Sequence, residues 1–302
     1  MTTPWLLSKI QRGLYYYVFR NMPFRAALER FACSHFRGLP AYVRVERLYR
    51  LRAFRMPHYY LGVQRALDLS ARLGLSKFSI LEFGVAEGNG LLCLQNILHA
   101  VSGSSTFVCK QVRIFGFDTF QGLPDLSDAR DGGSVWKKGD YPSDLELLRS
   151  KIDPALVTLV PGLFADSIPT VRDQLVAYPP LFIIVDSDLY TSTISIFDHL
   201  FPSIVPSVSY WYFDDTRLNF YSERVGERLA IAEFNRRPDN PYHFVTDYRA
   251  SEEPIPLFRV LTQLYYCIDD EHYVDQTRLK EDPAILSLNP EEYVLLPEQN
   301  ID

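Results

Sequence analysis

The feature that most constrains the fold is the alternation of short apolar runs with helical stretches through the middle of the chain. Each run has the length of a strand, and strands separated by helices are typical of a parallel sheet with right-handed crossovers. The sequence therefore predicts an α/β domain with a doubly wound, mostly parallel sheet. The runs lie at Phe78–Phe83, Arg113–Phe117, Leu156–Val160, Leu181–Val185 and Ser209–Phe213, and helical spacing is clear at Leu91–Ala100.

Two later apolar runs and one earlier helix complete this pattern. The runs Tyr242–Thr246 and Val260–Ile268 bring the predicted sheet to seven strands, and we expect the last strand to be antiparallel. A helix at Tyr59–Leu73 precedes the first strand, with Gly74 as its C-terminal cap. The prediction is thus a Rossmann-like domain that begins with a helix.

Charge and composition divide the chain into three parts. The chain is 47% hydrophobic, which is enough for a core. Residues 1–58 are predicted to be a basic, aromatic helical extension, because the net charge is +9 over residues 1–55 and −15 over the rest. Residues 59–270 are predicted to form the α/β domain, and residues 271–302 an acidic tail.

The same features exclude several classes of protein. No apolar run is long enough to span a bilayer, no secretory signal is recognisable, and the four cysteines form no CxxC pair. We therefore expect a soluble, cytoplasmic protein without a disulfide or zinc framework, and the acidic body argues against nucleic-acid binding. The basic segment of residues 1–55 could cover the ligand site, form a homo-oligomer, touch a membrane surface or be a solvated extension.

A glycine-rich segment joins the first strand to the following helix and has the form of a nucleotide-binding turn. Gly84, Gly88 and Gly90 have the spacing G-x-x-x-G-x-G instead of the G-x-G-x-x-G of dinucleotide-binding turns. Glycine lets the backbone approach a ligand, and the helix behind it presents free N–H groups. Glu82 suits a cationic ligand, and S-adenosylmethionine carries an amino group and a sulfonium. A tight turn without a ligand is the alternative.

The next two strand ends supply residues that suit a nucleoside. Asp118 ends the second strand, and a carboxylate there can accept hydrogen bonds from both ribose hydroxyls in the crevice of an open α/β sheet. Phe164 and Ala165 follow the third strand and are expected to flank an adenine. The alternatives are a turn or helix-capping role for Asp118 and a core position for Phe164.

Aspartates follow the fourth and fifth strands. Asp186 and Asp188 come directly after the run Leu181–Val185, and Asp214 and Asp215 follow the next run. Adjacent strand ends would bring these carboxylates into one crevice, where their repulsion favours a bound cation. Oxygen ligands favour Mg²⁺, with Mn²⁺ or Ca²⁺ as replacements. Any single aspartate could instead cap the helix that follows it.

With these motifs, the sequence resembles the macrocin-type family of sugar O-methyltransferases, which have the class I methyltransferase fold. The resemblance covers about residues 78–236, and one departure is Ser187, where the family pattern usually has glycine. The matching stretches are Leu81–Gly90, Gly116–Pro124, Gly162–Pro169, Val185–Thr193 and Phe213–Asp215.

The resemblance implies an enzyme that transfers the methyl group of S-adenosylmethionine to a hydroxyl of a small molecule, expected to be a sugar. It also implies that Asp186, Asp214 and Asp215 hold Mg²⁺ and that Asp188 is the general base. The cation would lower the pKa of the acceptor hydroxyl, and Asp188 would take its proton. The expected cofactor contacts are Glu82, Gly84, Glu87, Gly88, Asp118, Thr119, Phe164, Ala165 and Asp186.

Two other functions are compatible with parts of the sequence. Asp186-Ser187-Asp188 also has the D-x-D form with which metal-dependent glycosyltransferases hold the diphosphate of a nucleotide sugar. That function leaves the glycine-rich segment and the Asp214-Asp215 pair without a role. The domain could also be a non-catalytic module that binds a cofactor.

Overall fold

The computed structural model of the chain describes residues 56–101, 111–126, 128–133, 136–216, 224–247 and 263–270. Almost all of the predicted extension and the whole of the predicted tail lie outside these residues. The predictions for both segments, including a membrane contact or a homo-oligomer formed through residues 1–55, therefore stay predictions. None of the described helices is long and apolar enough to cross a membrane.

The described strands form one seven-stranded sheet. They are β1 (Lys77–Phe83), β2 (Gln111–Asp118), β3 (Val157–Pro161), β4 (Pro180–Val185), β5 (Val208–Phe213), β6 (Tyr242–Thr246) and β7 (Leu264–Asp269). Their order is β3-β2-β1-β4-β5-β7-β6, and all pairs are parallel except those of β7 with β5 and β6. The predicted fold class and the antiparallel last strand are confirmed.

Helices cover both faces of the sheet. They are α1 (Pro57–Arg72), α2 (Asn89–Val101), α3 (Leu145–Arg149), α4 (Phe164–Thr170), α5 (Arg172–Ala177), α6 (Tyr190–Leu200) and α7 (Gly226–Phe234). Buried residues of α1 and α2 belong to the apolar core on one face, and those of α4 to α7 belong to the core on the other. The predicted helix Tyr59–Leu73 is α1, and Gly74 after it has a φ of 65°.

The burial of β4 explains its unbroken apolar sequence. All six of its residues are buried, because a strand in the centre of a doubly covered sheet faces a core on each side. Phe182 and Ile184 belong to the core beside α1, and Ile183 and Val185 belong to the opposite core. The strand order reverses between β4 and β1, and the chain leaves β4 at the carboxyl ends of these parallel strands.

Candidate active site

A cavity of about 530 Å³ opens at the carboxyl ends of β1 to β5. It lies where the strand order reverses, between β1 and β4, which is the position at which open α/β sheets bind ligands. The loops that follow the five strands line it. The predicted site residues in its wall are Gly84, Asp118, Thr119, Phe164, Ala165, Asp186, Asp188, Asp214 and Asp215.

Gly84 brings the glycine-rich turn against the loop that follows β4. Its φ is 86°, and a Cβ built on it would overlap the carbonyl oxygen of Asp186. The Gly84 N–H donates to the carbonyl of Phe117 at 3.0 Å, and the Asp186 N–H donates to that of Phe83 at 2.9 Å. Only glycine combines a left-handed φ with this close approach, so the turn depends on the residue type found there.

The carboxylate of Asp118 holds the glycine-rich turn in place. Oδ2 accepts hydrogen bonds from the N–H groups of Val85 and Ala86, each at 2.8 Å, and Oδ1 accepts one from Phe120 at 2.7 Å. A carboxylate offers about four acceptor positions, which leaves one free for a ligand in the cavity. The turn alternative for Asp118 is thus correct, and its contact with a ribose stays a prediction.

Glu82 lies behind the turn and does not line the cavity. It is buried, its Oε1 accepts a hydrogen bond from the Tyr59 hydroxyl at 3.0 Å, and its Oε2 has no partner among the described residues. Gly90 makes room for this carboxyl, because a Cβ there would overlap Oε1. Burial raises the pKa of Glu82 to about 8, although the Tyr59 hydrogen bond acts in the opposite direction.

Of three other predicted cofactor contacts, Thr119 lines the cavity and Glu87 and Gly88 do not. Glu87 is exposed outside the cavity wall, and Gly88, with a φ of 81°, packs against the side chain of Leu148. Thr119 does line the cavity, but its hydroxyl donates to the carbonyl of Gly122 at 2.7 Å. Glu87 and Gly88 therefore frame the turn, and Thr119 shapes the loop after β2.

Phe164 and Ala165 form the cavity wall at the start of α4. The Phe164 ring packs edge to face on Phe83, with the ring centroids 5.2 Å apart. Phe164 thus contacts the core, as the alternative interpretation predicted, and it also lines the cavity. Contact of these two residues with an adenine stays a prediction.

Three aspartates converge in the wall of the cavity. Asp186, Asp188 and Asp215 each place a carboxylate oxygen within 4.8 Å of the other two. Asp214 lines the cavity but is not part of this cluster, and its Oδ1 accepts a short hydrogen bond from the Tyr212 hydroxyl. The clustered residues are thus Asp186, Asp188 and Asp215, whereas the predicted ligand set was Asp186, Asp214 and Asp215.

The cluster has the electrostatics of a cation site. Desolvation, followed by the charges of Asp214 and Asp188, raises the pKa of Asp186 well above its usual range. Desolvation raises the pKa of Asp188 to about 9, with further contributions from the charge of Asp215 and a hydrogen bond with it. Carboxylates in this state resist ionisation unless a positive charge joins them. The all-oxygen donor set fits Mg²⁺.

The alternative that Asp188 caps the following helix is wrong. The N-cap residue of α6 is Leu189, which lies directly before Tyr190, and its side chain makes no capping hydrogen bond. Asp188 instead has a φ of 61°, a left-handed conformation that aspartate adopts more readily than most residues. Its side chain is buried and lines the cavity.

The loop after β2 supplies a wall that the sequence did not reveal. Trp136 and Tyr141 line the cavity, and their ring centroids are 5.9 Å apart. The Leu123 N–H donates to the Asp140 carbonyl and the Gly139 N–H donates to the Leu123 carbonyl, each at 2.9 Å. These bonds hold the two arms of the loop together, so the aromatic wall has a defined shape.

The far end of this loop is attached to α6. The buried carboxylate of Asp131 accepts hydrogen bonds from the N–H of Thr191 at 2.8 Å and from its hydroxyl at 3.1 Å. The Arg130 guanidinium lies 4.1 Å from the ring centroid of Tyr190 and donates to its hydroxyl at 2.8 Å. The capping carboxylate of α6 therefore comes from a different loop, which sequence spacing alone does not show.

Residues 77–237, more than half of the chain, match the family described as macrocin-O-methyltransferase (TylF). The O-methyltransferase NovP is similar in structure, with a TM-score of 0.51 at 20% identity, covering 72% of this chain and 80% of that one. The calicheamicin methyltransferase CalS11 has a TM-score of 0.50 at 17% identity, covering 88% and 93%. No curated protein matches the sequence. The chain belongs to the macrocin-O-methyltransferase family and is an S-adenosylmethionine-dependent O-methyltransferase.

Proposed function

We propose that the protein methylates a hydroxyl of a sugar or glycosylated small molecule in a metal-dependent reaction. The observation that carries the proposal is the cluster of Asp186, Asp188 and Asp215 in the same cavity as the glycine-rich turn. Methyl transfer requires the acceptor oxygen and the methyl donor to lie side by side, and one cavity holds both sets of residues.

The carboxylates are suited to bind a divalent cation, preferably Mg²⁺. Asp186 and Asp215 are the proposed ligands from the cluster, and Asp214 is a third proposed ligand beside them. A bound cation supplies Lewis acidity, which lowers the pKa of a coordinated hydroxyl. The residues of this chain hold the cation where the acceptor enters the cavity.

Asp188 is the proposed general base. Its carboxylate lies in the cluster, two positions along the chain from the proposed ligand Asp186. Its backbone is left-handed, and its side chain lines the cavity. A carboxylate there can take the proton of the acceptor hydroxyl as the oxygen attacks. The cofactor supplies the methyl group on its sulfonium. Asp118 and Gly84 orient the turn against which the cofactor binds.

The aromatic wall is the proposed contact surface for the acceptor. Trp136 and the half-exposed Tyr141 line the cavity, and aromatic rings pack well against the C–H groups of a sugar. The wall also contains Asp140 and Asp125, and Lys138 pairs with the carboxylate of Asp125 at 2.7 Å. No lysine, arginine or histidine of the described residues lines the cavity itself, so the aspartates in its wall leave it acidic. These charges favour a neutral or amino-substituted sugar over one that carries a phosphate.

The proposal is tested by cofactor titration and a methyl-transfer screen. S-adenosylhomocysteine should bind the full chain in calorimetry, and turnover of sugar and phenol acceptors should stop in EDTA and return with Mg²⁺. Full turnover in chelator would remove the metal from the mechanism. The family match favours methyl transfer over the glycosyltransferase alternative, and hydrolysis of a UDP-sugar in place of methylation would reverse that conclusion. The absence of turnover with every acceptor would favour the non-catalytic module.

A further inference from the structure

Glu227, the second residue of α7, lies behind the aspartate cluster and contacts both of the loops that carry it. Its side chain is fully buried. Oε1 accepts a hydrogen bond from the N–H of Ser187 at 3.1 Å, and Oε2 accepts one from the N–H of Asp215 at 3.0 Å. One carboxylate therefore links the loop after β4 to the loop after β5.

The two bonded N–H groups belong to the segments that carry the cluster. Ser187 is the residue between Asp186 and Asp188, and the second N–H belongs to Asp215. Two oxygens of one rigid carboxylate fix the separation of the two backbones, and the proposed ligands Asp186 and Asp215 can bind one cation only at a suitable separation. Glu227 does not line the cavity, so it acts only through the residues that it holds.

The start of α7 is itself packed against this region. Gly226 has a φ of 62°, and a Cβ built on it would lie 3.3 Å from the carbonyl oxygen of Asp188. The helix therefore approaches the aspartate loop closely enough for a side chain in its first turn to reach both backbones. An acidic residue in the first turn of a helix is also favoured by the helix dipole.

We propose that Glu227 is a positioning residue that holds the two aspartate loops at the separation needed for cation binding. This inference rests on the metal role in the proposed function and adds a residue to it. A carboxylate is required because it offers two acceptor oxygens on one group. Glutamine has the same shape but only one such oxygen, and its amide N–H₂ would face a backbone N–H.

The test compares Glu227→Gln with Glu233→Gln in the full, metal-free chain. Glu233 lies on the same helix, but its carboxylate accepts a hydrogen bond from the Tyr190 hydroxyl and contacts neither of the two backbone N–H groups. We expect Glu227→Gln to bind Mn²⁺ about 10- to 100-fold more weakly than the wild type, as outer-shell changes at metal sites do. Glu233→Gln should bind Mn²⁺ like the wild type.

Two further measurements separate positioning from general support of the fold. S-adenosylhomocysteine affinity and the melting temperature of Glu227→Gln should change far less than Mn²⁺ affinity. A parallel fall in all three would show a purely structural role, and unchanged Mn²⁺ affinity would show no role at all; either result overturns the inference. If the wild type itself binds no Mn²⁺, the metal part of the proposed function fails and the inference fails with it.

A measurement on the wild type covers the case in which the variant does not fold. Hydrogen exchange should show the backbone amides of Ser187 and Asp215 protected before any metal is added, because Glu227 accepts both. Rapid exchange of either amide in the metal-free protein would overturn the inference without any substitution.

Discussion

Gly84 and Asp186 are in backbone contact: the α-carbon of Gly84 lies so close to the carbonyl oxygen of Asp186 that no Cβ fits between them. The glycine-rich turn and the loop that starts the aspartate cluster therefore form one packed unit. A change at either position is transmitted to the other, which couples the two halves of the active site.

We expect Gly84→Ala to weaken binding of both S-adenosylhomocysteine and Mn²⁺. The added methyl group must displace Asp186, and alanine at a φ of 86° destabilises the fold by more than about 1 kcal/mol. Calorimetry of both ligands and thermal unfolding measure these effects. Gly133→Ala is the control, because no atom of the part of the chain that the structure describes lies within 4 Å of its Cβ position. Wild-type affinity of Gly84→Ala for both ligands would show that the two loops are independent.

The strands and the glycine-rich turn were predictable as structural elements because each has a local cause. A strand covered on both faces needs an unbroken apolar sequence, and β4 has one. The predicted third strand, Leu156–Val160, is shifted by one residue from the observed Val157–Pro161. Such boundary shifts are expected, because the hydrogen bonds that end a strand depend on its neighbours.

The hydrogen bonds that hold the site residues in place could not be predicted, because they join parts of the chain that are distant in sequence. Glu82 is bonded to Tyr59, and Glu227 is bonded to Ser187, which is 40 positions away in the sequence. The separation of Asp214 from the cluster did have a local signal. Tyr212 lies only two positions before Asp214, and its hydroxyl donates to the Asp214 carboxylate.

We expect Tyr141→Ala to raise the KM for the acceptor found in the methyl-transfer screen by a factor of about 2 to 10, as the loss of one aromatic contact does. Tyr141 is 54% exposed at the cavity wall, and the affinity for S-adenosylhomocysteine should not change. Steady-state kinetics measure the first quantity and calorimetry the second. Leu147→Ala removes another exposed apolar side chain outside the cavity and should leave both unchanged. Equal KM values for Tyr141→Ala and the wild type would place the acceptor elsewhere.

We expect Glu82→Gln to flatten the dependence of stability on pH in the ligand-free protein. The folded state holds the Glu82 proton up to a pKa of about 8, whereas the unfolded chain releases it near the usual 4.5. The contribution of Glu82 to stability is therefore greatest below the unfolded pKa and falls as the pH rises to 8, by at most about 1.4 kcal/mol per pH unit. Denaturant unfolding between pH 5 and 8 measures the slope, with Glu146→Gln on the surface as control. Parallel curves for Glu82→Gln and the wild type would contradict the raised pKa.

The division of roles between Asp188 and Asp186 is tested by changing each to asparagine. Asp188→Asn keeps the shape of the side chain and removes its basicity, so a base role predicts a fall in kcat of about 10²- to 10⁴-fold. Mn²⁺ and S-adenosylhomocysteine should still bind. Asp186→Asn should instead lose Mn²⁺ affinity, because it removes the charge of a proposed ligand. Kinetics with saturating Mg²⁺ and Mn²⁺ titration distinguish the two variants.

The outcome for Asp188→Asn decides between three roles because Asp188 lies in the cluster with Asp186 and Asp215. Loss of Mn²⁺ affinity comparable to that of Asp186→Asn would make Asp188 a ligand. Its carboxylate oxygen lies within 4.8 Å of those of Asp186 and Asp215, which is close enough for this role. Wild-type kcat across the pH range would assign proton removal to another group. A low kcat that persists at saturating metal, with normal cofactor affinity, is the result that a general base predicts, since only the proton acceptor has then been lost.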